Sequence, residues 1–437
     1  MWVEELSLEN IKCFERESIK FTNKGKHYKW ITFLSENGCG KSTILQSLGL
    51  LLAGPEGVIN LLPRPTGWLR DEAKAGRISI RIHQGNSDPG DFGEKKVRKS
   101  YGYSYHVSGS TPIQIRGRTF TEPGIHENSD RTLTWLRQNA LTSKGQGWFA
   151  AGYGAFRRLT RSHQLIVPTL EPQARYTNFL SQFQEDESLS VFEKWMIYLD
   201  YRIAKSDDPQ DHRLKSLGIA AVDSLLPNGV KFDSINTEGR ILYNVNGEIV
   251  PTISLSDGYR SILAFAGDLI WRLILAFPES TNPAHEEGVV LIDELDIHLH
   301  PIWQRDIALK LRTAFPNIQF FVSTHSPLVA AGAGHDALTI KLKNSNEGTS
   351  AEIISDIHKF PVDKVLMTEA FGLVSAYSPQ TNEKMDFYNY LYNKENPTTE
   401  EKNQLALLQP QVKEIINQKE ESELDSKIDS LLESLKK

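Results

Sequence analysis

The sequence predicts an α/β protein, and three stretches carry that prediction. Trp30–Leu34 is a short apolar run that leads directly into the Gly-rich segment SENGCGKST, residues 35–43. A helical pattern follows, with Ile44, Leu45, Leu48, Leu51 and Leu52 on one side. Far downstream, Gly288–Ile292 is a second apolar run, ending in Asp293-Glu294, and Ile318–Val322 is a third, ending near Thr324-His325. Short apolar runs separated by helical patterns read as core strands of one sheet.

The elements follow in order. Val3, Leu6 and Leu8 alternate toward Ile11, and Ile19 and Phe21 continue a β-like start. Gly54-Pro55 ends the first helix. Residues 64–118 change character: eleven Lys/Arg against five Asp/Glu give a net charge of +6, among short β-like runs such as Ile78–Ile82. Residues 160–226 look mainly helical, with Phe192, Trp195, Met196 and Leu199 at helical spacing. Ile241–Tyr243 followed by Asn246-Gly247 reads as a hairpin. A long helix over 259–277, the strand 288–292, a helix near 302–314 and the strand 318–322 complete the pattern. The tail, 361–437, holds nine Lys and fourteen Asp/Glu and no Arg, His, Cys or Trp. There Leu424, Ile428, Leu431 and Leu435 form an amphipathic stripe. That stripe suits either a helix folded back on its own core or one that docks on another subunit.

Composition narrows the function classes. The chain has 437 residues, 39% hydrophobic and 24% charged, with a net charge of −6. These values exclude a disordered or fibrous chain and leave room for two or three sub-domains. Mild acidity offers no global case for nucleic-acid binding, so that case rests on local charge. Two cysteines, Cys13 and Cys39, cannot form a disulfide framework, and they point to a reducing cytoplasm. The N-terminus lacks a signal-peptide layout. Ile262–Phe277, the most apolar stretch, contains Asp268 and Arg272 and is too short to span a bilayer, so it reads as a core helix. No membrane partner is expected, and no repeat of 20–50 residues is present.

Four motifs carry chemistry. A phosphate loop needs small residues so that backbone N–H groups face the β-phosphate, a Lys for the β- and γ-phosphates, and a hydroxyl for Mg²⁺. Asn37, Gly38, Cys39, Gly40, Lys41, Ser42 and Thr43 answer that description, with Cys39 as a small filler rather than a nucleophile. Ser35 stands where the usual pattern begins with Gly. Asp293 suits a Mg²⁺ shell, and Glu294 suits polarising the attacking water. Ser256, Asp257 and Gly258 open a helix; such a start serves equally as an anion site or as a plain cap. His325, after the third strand, can reach a γ-phosphate or serve as a structural histidine. His298 and His300 raise the thought of a metal, but spacing supplies no third ligand.

The order of these motifs is the informative part. Phosphate loop, Leu255–Tyr259, the Asp293-Glu294 strand and Ser323–Pro327 resemble the ABC-class ATPases, a branch of the P-loop NTPases. Those proteins carry Walker A, signature, Walker B and H-loop in that order. Asp296–Pro301 falls at the D-loop. The wording DELDIHLHPIWQ, with the start NIKCFERESIKF, resembles the SMC, Rad50, RecF and OLD branch, and is most similar to the stand-alone ATPases of bacterial anti-phage systems. The likeness covers roughly 1–60 and 250–330.

The resemblance implies an ABC-ATPase head with a mixed sheet core, a helical sub-domain insert and a C-terminal helical tail. The expected divisions are 1–155, a core lobe with a basic β-rich insert; 156–250, a helical sub-domain and hairpin; 251–360, the second half of the core; and 361–437, an acidic helical tail. It also implies ATP and Mg²⁺ as ligands and a head-to-tail dimer in which Ser256 and Gly258 face the partner copy's phosphate loop. Three departures stand out. Asp257 replaces the usual Gly, Tyr259 replaces Gln, and Gln146 is a weak stand-in for the Q-loop, near Gly152–Arg157. Neither a zinc hook nor a long coiled coil is present, which argues against Rad50-like bridging. The roughly 110 residues after the H-loop lack the acidic cluster of a toprim nuclease, and beyond His358 they hold neither the histidine nor the arginine that an HNH or HEPN-like nuclease needs. The expectation is therefore a regulatory ATPase that controls a separate nuclease of HNH or toprim type. The alternative is a RecF-like repair clamp, with nucleic acid as partner, contacted by residues 64–118 and by Arg157, Arg158 and Arg161. A transporter subunit fits the D-loop wording poorly.

Overall fold

The computed structural model describes residues 1–88, 100–115, 118–127, 131–142, 147–157, 174–184, 191–227, 229–375 and 377–415. Lys95, Lys96, Arg98, Lys99, Arg116, Gln146, Arg158, Arg161 and the stripe Leu424–Leu435 lie outside them.

The apolar runs assemble into one six-stranded sheet. Its order is Phe149–Tyr153, Gly288–Ile292, Ile318–Ser323, Trp30–Leu34, Leu338–Ser345, Gly348–Ile354. The first five are parallel and the last pairs antiparallel, so the sheet is mixed as expected. Trp30–Leu34, Phe149–Tyr153, Gly288–Ile292 and Ile318–Ser323 are buried along their full length, because both faces are covered.

Alternation along each strand feeds two cores. Val289, Leu291 and Phe321 point into one, with Leu45, Leu48 and Leu51 of the helix Lys41–Ala53. Val290, Ile292 and Phe320 point into the other. That second core is roofed by the helices Val191–Ser206, Pro209–Leu225, Asp257–Ala276 and Pro301–Ala314. The first core is closed by a five-stranded antiparallel sheet. Its order is Gly124–Glu127, Ser100–Ser108, Gly76–His83, Trp2–Ile11, Phe14–Lys20. A three-stranded ladder, Val230–Ile235, Ile241–Val245 and Glu248–Pro251, contains the expected hairpin.

The charges within the apolar helix Asp257–Ala276 have a structural use. Asp268 is fully buried and accepts hydrogen bonds from Tyr153 Oη at 2.9 Å and Arg272 Nε at 2.5 Å. Arg272 also donates to Asn178 Oδ1 at 2.6 Å. The helix is thus pinned to the edge strand of the central sheet. Among the described residues, no helix is long and apolar enough to cross a membrane.

The chain divides into two compact units, Met1–Val365 with Glu369–Phe371, and Leu366–Thr368 with Gly372–Lys437. The second unit is helical over Pro379–Tyr392, capped by Ser378, and again over 399–415.

Candidate functional site

The Gly-rich loop joins the strand Trp30–Leu34 to the helix Lys41–Ala53. Gly38 and Gly40 turn it with φ of 81° and 93°. A Cβ at Gly40 would stand 2.5 Å from Cys13 Sγ and 2.6 Å from the Phe14 ring, so the loop lies against the first hairpin only with glycine there. Cys39 and Thr43 are buried beneath the loop, whereas Asn37, Gly38 and Ser42 are exposed. The outer face of the loop and the first-turn hydroxyl of Ser42 therefore meet solvent.

Lys41 folds back onto this loop. Its Nζ donates to the Ser35 carbonyl and Ser35 Oγ, both at 3.0 Å, and to the Glu36 carbonyl at 3.3 Å. Burial draws the ammonium below the ordinary lysine range, against the opposing pull of neighbouring acidic groups, Asp293, Glu294 and Asp296 among them. All three carboxylates thus lie within electrostatic reach of Lys41.

The strands on either side hold Asp293 and Glu294. Ser323 Oγ donates to Asp293 Oδ1 and accepts from the Glu294 N–H at 2.8 Å. The Asp293 N–H donates to the Tyr153 carbonyl at 2.9 Å. Arg157 forks beneath both residues. Its guanidinium donates to the carbonyls of Gly154 (2.9 Å), Asp293 (2.6 Å) and Glu294 (2.9 Å). Glu294 has φ of 48°, a left-handed conformation that costs a non-glycine residue about 1–3 kcal/mol unless its surroundings enforce it. The Ser323 and Arg157 bonds do so. Burial brings the Arg157 guanidinium down to about 10, with Asp293, Asp296 and Glu294 opposing the shift, so it stays cationic at neutral pH.

Asp296 accepts from Thr324 Oγ1 and from the His325 N–H, the latter at 3.3 Å. Ser326 caps the helix Pro327–Gly332 and donates to Gln304 Oε1 at 2.7 Å. Gln304 Nε2 donates in turn to the carbonyls of Asp296 (3.3 Å) and Leu299 (2.9 Å). The backbone of His325 is fixed by this net, and the residue itself is exposed.

Ser256, Asp257 and Gly258 form a separate turn. Ser256 Oγ caps the helix, accepting from the Tyr259 N–H at 3.5 Å, and Asp257 pairs with Arg260. Ser256 and Asp257 are exposed, and Gly258 is buried. A Cβ at Gly258 would lie 2.5 Å from the His298 carbonyl, and the Tyr259 and Trp303 rings meet edge-on at 5.2 Å. The turn is therefore seated on the Asp296–Pro301 segment. In that segment His300 Nδ1 caps the following helix, accepting from the Ile302 N–H at 3.4 Å, and His298 is exposed with φ of 65°.

One expectation is overturned. Arg157 is not a nucleic-acid contact: it is 6% exposed and spends its donors on three internal carbonyls. The bracing role of Arg157, and those of Ser323 and Gln304, were missed in the sequence. The only signal was position, a Ser ending the strand beside the acidic pair and an Arg just past Phe149–Tyr153. That signal is readable only once the strand order is known.

Residues 36–331, more than half of the chain, match the family described as "AAA domain, putative AbiEii toxin, Type IV TA system". The chain is 26% identical to the Septu protein PtuA of Bacillus mycoides (strain KBAB4) over 93% of its own length and 50% of that protein's. It is 49% identical to the Retron Vc95 probable ATPase of Vibrio cholerae serotype O1 biovar El Tor, over 19% of this chain and 16% of that one. The chain thus spans about half the length of the first relative and a small part of the second. Among solved structures, the SMC head domain from Thermotoga maritima superposes with a TM-score of 0.45 at 13% identity, covering 82% of this chain and all of that one.

Proposed function

The chain belongs to the family "AAA domain, putative AbiEii toxin, Type IV TA system", and we propose that it is an SMC/Rad50-like ABC ATPase of the PtuA type that binds and hydrolyses ATP to regulate a separate nuclease in bacterial anti-phage defence. The observation that carries the reading is that Asp293, Glu294 and Asp296 all act electrostatically on Lys41 of the Gly-rich loop, in a chain similar to a Septu PtuA over nearly its whole length.

The residues present fit ATP and Mg²⁺. Lys41 holds two carbonyls and a hydroxyl of its own loop, acceptors that a β- or γ-phosphate oxygen replaces with more charge. Loop N–H groups and the N-terminus of the helix Lys41–Ala53 add positive potential. Ser42 and Asp293 are hard oxygen donors of the kind Mg²⁺ takes, and the ion when bound neutralises charge on the β- and γ-oxygens. Glu294 polarises the attacking water, a contribution of about 10²–10⁴ in rate. Its left-handed backbone fixes where the carboxylate points. His325 offers its exposed imidazole to the γ-phosphate.

The exposed residues Ser256 and Asp257 of this turn are the surface for a second copy. In a head-to-tail dimer they meet the partner copy's nucleotide, so a γ-phosphate shared by two surfaces makes the dimer depend on ATP, and hydrolysis removes the shared anion. The Asp296–Pro301 segment touches both the His325 loop and this turn. It is thereby the mechanical link between hydrolysis in one copy and contact with the next. The acidic second unit is the docking element for an HNH or toprim nuclease, in the cytoplasm, with nucleic acid as the trigger or target.

The test is co-purification of the tagged chain from its native operon, as wild type, Lys41→Ala and Glu294→Gln. A larger particle holding a second protein with nuclease activity, altered in both variants, supports the reading. A lone ATP-dependent dimer carrying only DNA would replace it with the repair clamp.

A further inference from the structure

Well away from the Gly-rich loop, three metal-type donors meet at one end of the antiparallel sheet. Glu4 comes from the strand Trp2–Ile11, His27 from the short strand Lys26–His27 and His83 from the end of Gly76–His83. One ligand atom of each lies within 4.8 Å of the other two. His83 Nδ1 is 3.4 Å from Glu4 Oε1, and the rings of His27 and His83 stand 5.2 Å apart.

The fold arranges this meeting. The pairing of Trp2–Ile11 with Gly76–His83 shifts register between Val3 and Glu5, so Glu4 sits in a β-bulge, a device that re-aims a side chain. Trp2 stacks on His27 at 5.6 Å and fixes its ring plane. Ser100 Oγ lies 3.1 Å from both Glu4 Oε1 and His83 Nδ1, contacts it gives up when an ion takes those two atoms. One fact remains unexplained by protein contacts alone: among the described residues, His27 Nδ1 is buried without a hydrogen-bond partner. A buried polar atom left so is destabilising, and such atoms call for a cause.

We propose that Glu4, His27 and His83 bind a divalent transition-metal ion of the Zn²⁺ class. Two imidazoles and one carboxylate suit Zn²⁺ and its neighbours, and are too nitrogen-rich for Mg²⁺ or Ca²⁺. Tetrahedral Zn²⁺ with bonds of about 2.0–2.1 Å spaces its donors roughly 3.3 Å apart, which the Glu4–His83 pair already meets at 3.4 Å. The site is structural. It ties the Lys26–His27 strand to the sheet and lies far from the hydrolytic residues. The Val3 N–H bonds Gln319 Oε1 at 2.7 Å, near the start of the strand Ile318–Ser323, whereas Ser323 at its end holds Asp293. This inference stands apart from the proposed ATPase role, and its failure would leave that role intact.

The test uses the chelator-stripped full chain titrated with Zn²⁺ and with Co²⁺, reading calorimetry, the cobalt ligand-field spectrum and the guanidinium midpoint. The variants are His27→Gln, His83→Gln and Glu4→Gln, with His298→Gln/His300→Gln as the control. The expected result is one ion per chain, a tetrahedral cobalt spectrum, and a midpoint raised by Zn²⁺. Affinity should fall about tenfold or more in each site variant and stay unchanged in the control. Should one histidine variant fail to fold, the other and Glu4→Gln still decide. Binding that is absent, or equal in wild type and site variants, overturns the proposal.

Discussion

Replacing Arg157 by methionine keeps the side-chain length and removes the fork under the Asp293-Glu294 turn. Three hydrogen bonds from a cation to buried carbonyls are lost, at 2.9, 2.6 and 2.9 Å. Bonds to charged groups contribute about 1.5–3 kcal/mol each, but the three share one guanidinium and are not additive. Relief of the buried cation offsets part of the loss. The expected destabilisation is about 3–4 kcal/mol, a large share of the roughly 5–15 kcal/mol of a typical fold. The turn itself should loosen, because Glu294 is held at φ of 48° by this fork and Ser323. A carboxylate misplaced by an ångström costs about a hundredfold in rate. The assay pairs guanidinium denaturation with steady-state ATP turnover and nucleotide affinity. Arg157→Met should lose stability and turnover, with affinity kept within a few-fold. Arg157→Lys, which keeps the charge without the fork, should fold better and still turn over slowly. Wild-type stability and turnover in both variants would refute the reasoning.

Further expectations follow from the same geometry. Lys41→Met should abolish nucleotide binding yet leave the free protein at least as stable at pH 7, because burial penalises this ammonium. Its folded pKa is lowered, so the penalty is full below that value and fades as pH rises toward the ordinary 10.5. The stability gap between variant and wild type should narrow over that window, and a gap that widens in urea melts across this range would contradict it. Glu294→Gln should slow hydrolysis by about 10²–10⁴ while trapping an ATP-bound dimer, followed by light scattering; a monomer at saturating ATP would speak against the shared-phosphate scheme. Asp268→Ala should cost about 3–5 kcal/mol, since it removes the buried carboxylate that both Arg272 and the Tyr153 hydroxyl bond. A loss under about 1 kcal/mol in guanidinium would show that the pair is not what pins the helix.

Much of the nucleotide half was legible because its chemistry is local. The strand 288–292 stands where its apolar run placed it, and the helix expected over 259–277 spans Asp257–Ala276. Gly54-Pro55 ended one helix as expected and also began another, since a proline without an N–H is tolerated at the first helical position. The strands Leu338–Ser345 and Gly348–Ile354 escaped notice. Leu338, Ile340 and Leu342 point inward, but Thr339 and Lys341 between them and Lys343 after them leave no continuous apolar run to mark the strand. Arg157 was illegible for a deeper reason: its partners are backbone carbonyls, which leave no mark in sequence. The Glu4, His27 and His83 cluster joins residues far apart in the chain through a bulge that no spacing rule anticipates.

The measurement that tests the account most directly is a mixing experiment between Lys41→Ala and Ser256→Arg. Each variant alone should be inactive, the first through its own loop and the second through the exposed turn it offers its neighbour. If each site is built from the loop of one copy and the turn of the other, half of randomly mixed dimers contain one intact site, and the mixture should recover roughly a quarter of the wild-type ATP turnover. No recovery from two folded, associating variants would contradict a site completed by a second copy. Full activity of Ser256→Arg by itself would assign hydrolysis to the single chain.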